Sequence, residues 1–145
     1  METLHPLAVH VPITLILVWP AVDLAALWFD RRDVAITAGA LLVLAIPAAL
    51  FATVTGQSAY DAAIAAGHAP ALLDRHADLA ALVPWFLIVV AAVRGPLARR
   101  YGRPARLVAI LLGFLLGGVI VSVGHEGGEL VFDHGVGVQP GGAPR

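Results

Sequence analysis

Four stretches of this chain are long, apolar and almost free of charge, and nothing constrains its folding more. They cover residues 7–29, 34–54, 77–93 and 106–124, and the only Asp, Glu or Arg within them are Asp23, Asp78 and Arg106. About 20 helical residues at ~1.5 Å each cross a hydrocarbon layer of ~30 Å. Inside lipid each backbone N–H and C=O must find a partner within the protein, which leaves helices as the form for isolated apolar stretches of this length. The first stretch reads as a span rather than a cleaved leader, because Met1-Glu2-Thr3-Leu4 before it carries no positive charge and Arg31-Arg32 follows it.

The expected architecture is therefore all-α: a polytopic membrane four-helix bundle occupying residues 1–138 as one domain. Composition agrees, since 59% hydrophobic and 13% charged residues lie far from the soluble average. Proline and glycine punctuate the spans. Pro6 suits a first helical turn, Pro12 and Pro20 bend the first span, Pro47 bends the second, and Pro70 opens the third. Thr55-Gly56 reads as the end of the second span. Ser58 to Asp61 then reads as a capping box opening a short surface helix, closed by Gly67, between spans two and three. Residues 139–145 read as a disordered tail.

Net charge is −1, which argues against nucleic acid as a partner. The absence of cysteine excludes disulfides, iron–sulfur ligation, thiolate catalysis and covalent c-type haem attachment within this chain. All nine basic residues are arginine. Seven of them (Arg31, Arg32, Arg94, Arg99, Arg100, Arg103 and Arg106) fall on one side of a four-span bundle, and Arg75 and Arg145 on the other. By the positive-inside rule both termini lie outside, in a bacterial cytoplasmic membrane.

All six histidines then fall at the outer face. His10 and His76 lie at matched depth on two helices that run inward from that face, so they are the favoured pair for a haem b iron or a transition-metal ion. His5, His125 and His134 are the further candidates for ligation. His5 and His10 diverge by about 140° around a helix, and His125 meets Glu129 only if the helix continues through Gly127-Gly128, which two glycines disfavour. Asp23, deep in the first span, reads as an ion-pair partner of Arg31, Arg32 or Arg106 rather than a step in a proton relay, because the bundle's centre offers no second carboxylate. Gly113, Gly117 and Gly118 bring a GxxxG pattern to the fourth span. It serves close helix packing, a homodimer contact through Gly113 and Gly117, or room for a flat macrocycle at Gly117 and Gly118.

The opening His5-Pro6-Leu7-Ala8-Val9-His10-Val11-Pro12, the internal Arg75-His76-Ala77 and the closing Gly127-Gly128-Glu129-Leu130-Val131-Phe132-Asp133-His134-Gly135-Val136 together resemble domain-of-unknown-function family 2231, a group of predicted bacterial membrane proteins. The likeness covers nearly the whole chain, in order. Val11 stands where the family favours an aromatic and Phe132 where tyrosine is common; neither change removes a histidine. The resemblance implies a four-helix membrane module, and it carries over His5, His10, His76 and His134. Relatives that occur beside cytochrome domains point toward redox chemistry.

The leading expectation is thus a membrane module that binds haem b or a redox metal for electron transfer. The alternative is an accessory subunit without a cofactor, docking a redox or other membrane protein through its outer face. Transport is disfavoured by the lack of polar residues in the middle of helices two to four. No convergent hydrolytic constellation is evident, so the chain is not expected to be an enzyme on its own.

Overall fold

A computed structural model describes residues 4–138. The described chain is helical almost throughout: α1 (His5–Ala8), α2 (His10–Trp28), α3 (Arg32–Ala65), α4 (Pro70–Ala92), a π turn (Val93–Leu97), α5 (Ala98–Tyr101) and α6 (Arg103–Phe132). Four of these helical stretches are long and apolar enough to cross a membrane, as the sequence predicts. Packing is cyclic. Helix α2 lies against α3 and α6, and α4 against the same two, so α2 faces α4 diagonally and α3 faces α6.

Local chemistry explains the boundaries. Pro12 has no N–H to give the Ala8 carbonyl, and the first span is interrupted at Val9, where α1 passes into α2. Asp30 closes the first hairpin with φ 50, a left-handed conformation that Asp tolerates better than most residues. Pro70 opens α4 as expected. The basic stretch after α4 is helical rather than a loop. Pro96 cannot donate to the Ala92 carbonyl, the ladder widens by one residue, and the Ala98 N–H reaches back to Val93. Gly102, at φ 68, then breaks the chain before α6.

Two expectations are corrected. The surface helix is not separate: α3 runs unbroken through Thr55 and Gly56 to Ala65, and at 34 residues its length of ~51 Å exceeds the hydrocarbon layer by several turns. Gly56 is no turn residue, because a Cβ there would lie 3.0 Å from His5 Cε1; its smallness admits the imidazole. Likewise α6 does not stop at Gly124 but continues through Gly127-Gly128 to Phe132. There Gly127 admits His76, whose Cε1 would lie 3.1 Å from an added Cβ. The tail expected over 139–145 lies outside the described residues.

The core is built from Ile16 and Trp19 of α2, Leu42 and Ala45 of α3, Leu87 of α4 and Leu116 of α6, among others. Trp19 is fully buried, and its ring occupies the notch at Gly113, where a Cβ would overlap Cζ2. Gly117 is buried against Leu17. The small-residue face of α6 at Gly113 and Gly117 therefore packs inside the bundle. Gly118 faces outward into open space. The bundle's exterior is apolar instead, with Ile36, Val43, Leu82, Trp85, Leu111 and Val121 each more than half exposed. An exterior of that kind is stable against lipid tails and not against water.

Candidate functional site

Polar side chains concentrate at the two ends of the bundle, with the apolar core between them. At the end carrying the N-terminus, each of the four packed helices contributes: His5 from α1, which leads into α2, Thr55 from α3, His76 from α4 and Glu126 from α6.

His5 is held by hydrogen bonding and by fit. The Thr55 hydroxyl lies 3.0 Å from the Ala52 carbonyl, to which it donates, and 3.2 Å from His5 Nδ1, so this one oxygen ties the imidazole to α3. Thr55 itself is fully buried, and its bond to Ala52 follows from the i−3 reach of a threonine within a helix.

His76 of α4 lies at the same end of the bundle, with its ring against Gly127 of α6. The Val123 carbonyl and Glu126 flank the ring. His76 Nδ1 is buried with no hydrogen-bond partner, and so is Glu126 Oε2. The other oxygen of Glu126 forms an ion pair with Arg75, its Oε1 2.9 Å from Nε of an arginine mostly exposed to solvent. Buried polar atoms without partners are uncommon; among the described residues Trp19 Nε1, in the core, is a third.

The other expected ligands lie elsewhere. His10 is exposed, with its carbonyl accepting from Thr14 Oγ1. His125 is exposed on α6, paired with Glu129 at 3.3 Å, a contact made by the helical continuation that Gly127-Gly128 had argued against. His134 is exposed beyond the end of α6, and His68 is half-buried in the connection between α3 and α4. Among the described residues no group of three His, Cys, Asp or Glu side chains is arranged to hold a metal ion.

Just past the apolar layer the Tyr60 hydroxyl donates to Asp74 Oδ1 at 2.7 Å and ties the end of α3 to the start of α4. That bond, with the adjoining carboxylates, raises the phenol's pKa above its ordinary value.

The opposite end is organised by Asp23, fully buried on α2. Arg106 of α6 reaches it at 2.7 Å and Arg94 of the π turn at 2.9 Å, each through Nε and Nη2, and Arg94 also donates to the Ala35 carbonyl of α3. Of the partners expected for Asp23, Arg106 is present; Arg31 pairs with Asp33 instead, at 2.7 Å. Arg94 was missed because its segment reads as a loop. Gly56, Gly127 and Thr55 were missed as well, and the signal for the glycines was their cost of about 1 kcal/mol inside a helix, which calls for a packing reason.

A family profile described as "Predicted membrane protein (DUF2231)" matches residues 1–140. The chain belongs to this family. It is a membrane protein with four helices long and apolar enough to span the bilayer. No curated protein and no solved structure matches the chain.

Proposed function

We propose that this DUF2231 protein is an electron-transfer module whose histidine-bearing end holds haem b, with His5 and His76 as the axial pair. The observation that carries the reading is the placement of two imidazoles at one end of the bundle, His5 of α1 seated on Gly56 and bonded to Thr55, and His76 of α4 seated on Gly127 with a buried ring nitrogen that has no hydrogen-bond partner. A zinc-type site needs three or four protein ligands, and none is present among the described residues. Haem iron asks the protein for only two axial nitrogens, since the macrocycle supplies the rest. Bound haem would supply one-electron transfer at its iron. The chain's part is to orient the His5 ring through Thr55, to cradle the two rings on Gly56 and Gly127, and to place the Glu126–Arg75 pair beside them as a source of local charge.

His10 gives way to His5 in this reading because it is exposed. The arginine distribution supports an orientation with both termini outside a bacterial cytoplasmic membrane and the Asp23 end inside. A second reading, an accessory subunit that docks a redox or other membrane protein, is favoured by the exposed Phe132 beside His125, Glu129 and Asp133 at the end of α6.

The deciding experiment is an oxidised-minus-reduced visible spectrum of protein purified in mild detergent from haem-replete cells, with metal analysis of the same sample. Sharp reduced bands are expected, retained in His10→Ala and lost in both His5→Ala and His76→Ala. A colourless, metal-free protein, or bands that survive both substitutions, overturns the haem assignment.

A further inference from the structure

The arginine-bearing end holds more positive charge than Asp23 can neutralise. Arg94 and Arg106 each bond the buried carboxylate through Nε and Nη2, so their Nη1 groups carry none of these bonds. Both guanidiniums line a surface groove of about 360 Å³ together with Arg32 and Arg99. Four arginines against the one carboxylate of Asp23 leave three charges in surplus. Arg32 and Arg99 are exposed at the rim, whereas Arg94 and Arg106 are held in place by Asp23 and line the groove while only about one-fifth exposed.

The groove also has an apolar wall, made by Ala35, Ile36 and Ala98. From Ile36 an exposed strip continues along α3 through Ala40, Val43, Leu44 and Pro47, toward the middle of the bilayer. A cationic pocket at the edge of the apolar layer, continuous with an apolar track along a spanning helix, matches a molecule with an anionic head and a hydrocarbon tail. We infer that this groove binds the phosphodiester headgroup of an anionic phospholipid, with Arg32, Arg94, Arg99 and Arg106 around the phosphate and an acyl chain along α3. Guanidinium groups suit this because their paired N–H donors match phosphate oxygens in bidentate fashion. Basic pockets between spanning helices take lipid headgroups in the same way. The site stands at the far end of the bundle from the histidines and does not depend on whether haem is bound.

Native mass spectrometry of the purified protein, released from neutral detergent with phosphatidylglycerol or phosphatidylcholine of identical chains, tests the assignment. Retained phosphatidylglycerol is expected to exceed phosphatidylcholine, and Arg32→Gln/Arg99→Gln is expected to weaken phosphatidylglycerol binding on the order of tenfold. Both residues lie outside the Asp23 cluster, so the melting temperature without lipid is expected to be unchanged. Equal retention of the two lipids overturns the inference, and so does undiminished phosphatidylglycerol binding in the double variant. Displacement of the lipid by inorganic phosphate at millimolar concentration also overturns it, assigning the arginines to a free anion instead.

Discussion

Arg106 Nη2 lies 2.7 Å from Oδ1 of Asp23, a carboxylate with no exposure to solvent. This contact joins α6 to α2, and Arg94 binds the same oxygen from the π turn, so one buried charge fastens three elements. Removing one member of a buried pair costs far more than the pair contributes, because the remaining charge is left uncompensated. Asp23→Ala is accordingly expected to lower unfolding stability by about 3–5 kcal/mol. Arg94→Gln should cost less, since Arg106 still neutralises the carboxylate. Thermal unfolding in detergent checks both, and an Asp23→Ala protein that melts with the wild type would refute this role.

Gly113 and Trp19 are matched in shape, and an added methyl group has nowhere to go. Gly113→Ala is expected to destabilise by about 1–3 kcal/mol through overpacking. The smaller ring of Trp19→Phe should recover part of that loss, giving a non-additive double-mutant cycle. Strict additivity would mean that the two positions do not meet.

Glycines elsewhere on α6 provide a contrast. Gly124 faces open space, and Gly124→Ala should gain up to about 1 kcal/mol from helix propensity. Gly127→Ala should forfeit that gain by pressing on His76, and in haem-loaded protein it should move or diminish the reduced bands that Gly124→Ala leaves alone. The same spectra and melting curves report both, and identical behaviour of the two variants would dissociate Gly127 from the imidazole.

Tyr60 provides the pH dependence. Its folded pKa is raised by the Asp74 hydrogen bond, so the associated stabilisation is fully present below the ordinary phenol value of about 10 and disappears as pH rises through the folded value. In a Tyr101→Phe background, ultraviolet titration should find the remaining tyrosine ionising late. Asp74→Asn should bring it back toward the ordinary range, and a titration indifferent to that substitution would show that the bond does not form.

Sequence alone was a good guide wherever the cause of a structure was local. The four spans follow from apolar length, the start of α4 from Pro70, and the pairing of Asp23 with Arg106 from the expense of a buried charge and its depth in the bundle. Gly56 was misread because glycine inside a helix and glycine ending one look alike along the chain; the difference is His5, a partner 51 positions away. Arg94 escaped notice for a related reason, being separated from Asp23 by 71 residues and set in a π turn whose Pro96 reads as a loop signal. Matched depth with His76 favours His10 over His5 along the chain, whereas burial depends on how α1 turns over α3, which no periodicity in so short a segment reveals.

One helix takes part in both polar ends. Ala35 meets the arginine cluster and Thr55 meets His5, and the 20 residues of α3 between them rise ~30 Å, the thickness of a hydrocarbon core. The protein is in this sense a caliper, with jaws set at the two boundaries of the bilayer. Because a helix does not stretch, a thicker membrane would have to thin around it or draw one of the jaws into hydrocarbon, so lipid chain length should tune its stability as directly as any substitution.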